Sequence, residues 1–129
     1  MAVRDAEPDD LGTIADLAGV SEAAAMRLMH ERSIRVLEED EGAVAFVSYD
    51  ICTDSVQISR LAGTHERFHR LIEEVIHLAE DSNKSIEMVV PETDGVVSTA
   101  LEGAGFTPCG NGPRFAGVST TAYRRPNEG

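Results

Sequence analysis

The feature that most constrains this chain is one helix set between two apolar strands. In "GTHERFHRLIEEVIHLAED", residues 63–81, Phe68, Leu71, Ile72, Val75, Ile76 and Ala79 recur at intervals of three and four. That spacing gathers one apolar stripe, which must lie against a core. Thr64 is the expected N-cap and "DSNKS" the stop. "SVQISRLA" before the helix and "IEMVV" after it read as strands, the second stopped by Pro91. Strand, long helix, strand implies a right-handed crossover, so segments 56–61 and 86–90 are expected to be parallel neighbours.

Shorter elements fill the rest. "AVRDA" reads as a strand ended by Pro8, and Asp9 or Asp10 as the cap of a helix carrying Leu11, Ile14, Leu17 and Ala18. Ser21 is the expected cap of a second helix, "EAAAMRLMHER". "SIRVLEE" and "GAVAFVSYD" read as a strand pair joined by an acidic turn. A helix over 95–102 ends at Gly103, and "GFTPC" and "VSTTAYR" pair around the turn "GNGP". The order is β, α, α, β, β, β, α, β, α, β, β. It predicts an α/β (α+β) protein with a mixed central sheet flanked by helices. At 129 residues it is expected to be one domain, 1–129.

Charge narrows the partners. The net charge is −12, with 23 acids against 11 bases; Lys84 is the sole lysine. The acids are scattered through periodic apolar sequence rather than gathered in a tail. Such a surface suits a high-salt cytoplasm, where molar salt shortens the screening length to about 3 Å and quenches self-repulsion. It argues against nucleic acid and anionic membranes as partners. No apolar run approaches the roughly 18 residues of a membrane span. "MAVRDAEPDD" lacks the basic-then-apolar pattern of a signal peptide, so the expected compartment is cytoplasmic. Cys52 and Cys109 form no CxxC pair and are expected to be reduced, partly buried thiols.

Over nearly its whole length this order resembles the GNAT superfamily of acyl-CoA-dependent N-acetyltransferases. "VRDAEPDDLGTIADL" is similar to that family's opening strand and acid-capped helix. "IRVLEEDEGAVAFVSYD" is similar to its second and third strands, and "EMVVPETDGVVSTALEGAGF" to its closing strand, helix and Gly-Phe. The resemblance implies that the two central parallel strands splay apart and that acetyl-CoA, as co-substrate, lays its pantetheine arm in the gap. Leu61, Ala62 and Gly63 would then flank the arm, with a backbone N–H near Ala62 polarising the thioester. Thr64 to Phe68 would form the turn that meets the pyrophosphate, where a helix start offers unpaired N–H donors, and Arg67 and Arg70 would contact phosphate by charge.

The chain departs from the family at two places. Arg70 and Ile72 stand where the phosphate turn uses small residues, whose lack of bulk lets backbone approach phosphate. Leu101 stands where many members carry a tyrosine that protonates the leaving thiolate. Asp94 occupies a place where asparagine is common. Glu66 and Asp50 are the candidate general bases for the attacking amine. The implied activity is acetyl transfer to a small-molecule or peptide amine; the alternative is a non-catalytic GNAT-like module for ligand sensing or protein interaction. Edge strands at both ends of the sheet permit a homodimer.

His65-Glu66-Arg67-Phe68-His69 also spells HExxH, in which two histidines at i and i+4 hold zinc and the glutamate activates its water. Arg67 and Arg70 bracket the motif with cations, and the extended form fails at Ile72 and Val75. A solvated helix flank is the preferred reading and a zinc hydrolase a remote alternative; no metal site is assigned.

Overall fold

The computed structural model describes residues 2–127. Its strands are β1 (Ala2–Asp5), β2 (Ser33–Glu39), β3 (Gly42–Ile51), β4 (Ser55–Gly63), β5 (Ser85–Pro91), β6 (Thr107–Asn111) and β7 (Thr120–Arg125). The helices are α1 (Leu11–Ala18), α2 (Glu22–Glu31), α3 (Phe68–Asp81) and α4 (Gly95–Gly103). The sheet runs β1-β2-β3-β4-β5-β7-β6. Every neighbouring pair is antiparallel except β4 and β5, the expected crossover pair, which are parallel.

The alternation of β3 explains why helices cover both faces. Ala45, Val47 and Tyr49 join a core with Leu71, Ile72, Val75, Val97 and Leu101, on the α3 and α4 side. Phe46 joins Ile14, Ala25, Ile34 and Val36, on the α1 and α2 side. Side chains two apart share a face, so a strand apolar at successive positions needs cover on both.

The helix starts are held by short acids and hydroxyls. The Ser21 hydroxyl accepts from the Ala24 amide at 3.1 Å, and the Asp94 carboxylate from the Val97 amide at 3.2 Å. Asp10 accepts from the Glu7 amide at 2.7 Å and from both terminal nitrogens of Arg4 at 2.9 and 3.0 Å. The Arg4 guanidinium, opposed by partial burial, holds the Asp10 carboxyl below the usual carboxylate range. This fork of bonds ties the start of α1 to β1.

Four local expectations are corrected. Asp10 precedes α1 but makes no side-chain cap bond to it, accepting from the Glu7 amide instead. Thr64 makes no side-chain cap; a 3-10 turn over His65–Arg67 precedes α3, which starts at Phe68. The final hairpin does not turn at "GNGP": Phe115 bridges Val118 across Ala116 (φ 50) and Gly117 (φ 81). Two successive left-handed residues are what a tight two-residue hairpin requires. Gly112 serves close packing instead, since a Cβ there would lie 2.5 Å from the Thr120 hydroxyl. Fourth, Cys52 and Cys109 are both exposed; each lies at a strand end or bulge, outside the apolar rows.

Candidate functional site

The site begins where β4 leaves β5. Their parallel pairing covers only Ser55–Ile58 against Ser85–Met88. Beyond that, β4 continues along β3 as far as Gly63, while β5 continues along β7 as far as Pro91. The two strands fork, and the opening is a cleft of about 440 Å³, within the range of small-molecule sites.

Two sequence features produce the fork. The β3–β4 register shifts between Ser48 and Tyr49, whose partners are Arg60 and Ile58, so Ser59 is the extra residue of a bulge. The bulge turns the strand and exposes Ser59 and Arg60 together. The Ser59 and Ser48 hydroxyls, 2.6 Å apart, tie it to β3. At the far end Gly63 has φ +111, and a Cβ there would lie 2.4 Å from the Val44 carbonyl oxygen and 2.6 Å from the Ala45 Cα. Only glycine lets β4 stay this close to β3 while leaving β5.

The backbone bonding sets what faces the cleft. Thr64 donates its amide to the Val44 carbonyl at 3.0 Å. Antiparallel alternation from that bond sends the amides of Ala62 and Arg60 to β3 as well, and turns the Leu61 amide toward the open side. Of the amides near Ala62, the one that faces the open side is therefore that of its neighbour Leu61. The cleft is walled from both faces of the sheet: Leu17 and Ala18 of α1 on one side, Phe68 and Val97 on the other.

The architecture has counterparts among solved structures, although no family model matches the sequence and no curated protein matches it. The ribosomal-protein-S18-alanine N-acetyltransferase of Escherichia coli superposes with a TM-score of 0.81 at 15% identity, over 98% of this chain and 93% of that one. Chaetomium thermophilum Naa20, solved in complex with a bisubstrate analogue, gives 0.80 at 12% identity, over 98% and 86%. A GNAT-family acetyltransferase of Bacillus cereus gives 0.75 at 16% identity, over 98% and 96%.

The chain has the GNAT fold.

Within this GNAT fold, four residues anticipated at the cofactor line the cleft: Leu61, Ala62, Gly63 and Phe68. Thr64 lies at its rim, its amide already bonded to Val44. Arg67 and Arg70 are engaged elsewhere: Arg67 Nε lies 2.6 Å from a Glu39 carboxylate oxygen, and Arg70 is 3.1 Å from Glu74. Neither they nor Glu66 is among the lining residues. Asp50 pairs with Arg32 at 2.7 Å and sits opposite Gln57, on the closed half of β4. The structure does not bring it to the fork.

Three polar cleft residues were missed as members of this site, Ser59, Arg60 and Asp94, while His65 of the expected phosphate turn lines the cleft as well. Arg60 reaches the Ala18 carbonyl at 3.4 Å, at the end of α1. His65 packs on the Phe68 ring, centroids 5.3 Å apart. Asp94 caps α4 while facing the cleft. The crossover itself held the signal: any residue opening the element after a forked strand must border the fork. Leu101 is fully buried among core residues, and Tyr49 and Tyr123 are core members too. His65 belongs to the 3-10 turn and His69 to α3, so the HExxH pattern does not lie on one regular α-helix. Among the described residues, no group of three His, Cys, Asp or Glu is placed to hold a metal.

Proposed function

We propose that this chain is an N-acetyltransferase that moves an acetyl group from acetyl-CoA to an amine. The fork between β4 and β5 carries the reading, because an extended thioester arm can take the place of the missing strand partner along Ser59–Gly63. The N-acetyltransferase names of the structural counterparts add support at the level of fold.

Here the Leu61 amide would donate to the thioester carbonyl and stabilise the oxyanion that forms. The amine, entering from the α1 side, attacks the carbonyl carbon; the C–N bond forms, the C–S bond breaks, and the thiolate leaves toward solvent. His65, the imidazole on the cleft wall, would take the proton from the amine directly or through water. With Leu101 in the core and no tyrosine on the cleft wall, the thiolate would be protonated by water. That same substitution favours a second reading, a ligand-sensing module that binds the thioester without transferring it.

Calorimetric titration with acetyl-CoA in molar KCl, the condition the acidic surface suits, is the first test; binding supports both readings. Thiol release on adding a panel of amines then identifies the enzyme. No heat and no thermal shift would remove both.

A further inference from the structure

We infer that this chain selects its acyl donor by the pantetheine arm, and that the nucleotide diphosphate of coenzyme A adds little to recognition. This deepens the acyl-transfer reading and rests on it. The two ends of the donor site are built differently. The arm end is formed: the fork is open, the Leu61 amide faces it, and Gly63 holds β4 clear of β5.

At the diphosphate end three of the turn's amides and both nearby arginines are already engaged. The amides of Thr64 and Arg67 donate to the Val44 and Thr64 carbonyls, each at 3.0 Å, and the Phe68 amide donates to the His65 carbonyl. The guanidinium of Arg67 is held at 2.6 Å by Glu39, and that of Arg70 by Glu74 on the next helical turn. Arg70 adds a bulky side chain to the first turn of α3. The Glu39–Arg67 bond also brings the β2–β3 turn, with Asp40 and Glu41 exposed, beside exposed Glu66 at the start of α3. A diphosphate brought here meets carboxylates of like sign, and can recruit Arg67 only by breaking its pair with Glu39. The chemistry on this surface fits an acyl-pantetheine thioester and does not fit its nucleotide.

The experiment compares acetyl-CoA with acetyl-pantetheine by calorimetry and by initial rates, using the whole chain at one salt concentration. The two Kd values, and the two kcat/KM values, are expected to agree within about tenfold, and adenosine 3′,5′-bisphosphate is expected not to displace either thioester. Glu39→Gln, which frees Arg67 without touching the cleft, is expected to tighten acetyl-CoA severalfold while leaving acetyl-pantetheine unchanged. A preference for acetyl-CoA beyond about tenfold in the wild type, competition by the bisphosphate, or an unchanged acetyl-CoA affinity in E39Q would overturn the inference and leave the acyl-transfer reading standing. If neither thioester binds, both are overturned.

Discussion

The two halves of β4 are one strand with two roles. From Ser55 to Ile58 it is bonded on both sides, to β3 and to β5, and its Val56 and Ile58 are buried. From Ser59 to Gly63 it is bonded to β3 alone and borders the cleft. Burial does not separate them, for Leu61 and Ala62 are buried as Val56 and Ile58 are. The difference comes from two small residues, Ser59 making the bulge and Gly63 making the close approach. In this chain a cleft is opened by backbone geometry inside a strand that still sends Leu61 and Ala62 into the core.

Substitutions at the two ends of the open half, in the closed half, and at the helix that walls the cleft should sharpen or break this contrast. Gly63→Ala is expected to have the largest effect, about 3 kcal/mol of lost stability by urea denaturation, because the new methyl meets Val44 and Ala45 and the left-handed backbone resists a side chain. Thioester binding should be lost with it; a tolerated alanine would refute the role given to this residue. Val56→Ala, in the closed half, should cost about 2 kcal/mol through the cavity it leaves, yet the remaining folded protein should bind thioester normally. Equal damage to binding would mean that the halves are not separable.

Asp10→Asn tests the anchor of α1, whose end walls the cleft. A loss of about 1–2 kcal/mol is expected at neutral pH, from bonds that gain strength from charge. The folded-state pKa of Asp10 is depressed. Its contribution is therefore complete above the unfolded value of about 3.9 and fades as pH falls through the lower folded value. Wild type and variant should converge in acid, which a pH series of denaturation midpoints would check. Ser59→Ala should have the smallest effect, about 1 kcal/mol, since it removes one hydroxyl partner from the buried Ser48. Its loss of thioester affinity should exceed that of Val56→Ala, although its cost in stability is less.

Much of the fold was legible in the sequence because it depends on long periodic segments. The stripe from Phe68 to Ala79, flanked by two β-rich runs, specifies a crossover whatever the details of its ends. Ser21 precedes its helix and caps it as expected; the same role of Asp94 was not anticipated. What escaped was local. Ser59 carries no bulge signature, since its role comes from a register shift against β3 that no single strand reveals. Phe115 to Val118 was hidden by the richer turn chemistry of "GNGP", although Gly112 is used there for packing against Thr120. The pairing of Arg67 with Glu39 spans 28 positions and cannot be read from either segment. Arg60 and Asp94 border one cleft only because β4 and the start of α4 reach the same fork.

The cleft is walled by α1 on one face of the sheet and by Phe68 and Val97 on the other, yet it remains open to solvent. Water can enter it too, from the side an amine would use. A thioester resting there without an acceptor is exposed to slow hydrolysis, and the waste of donor, followed as acetate formed in the absence of amine, measures how well that mouth is stoppered.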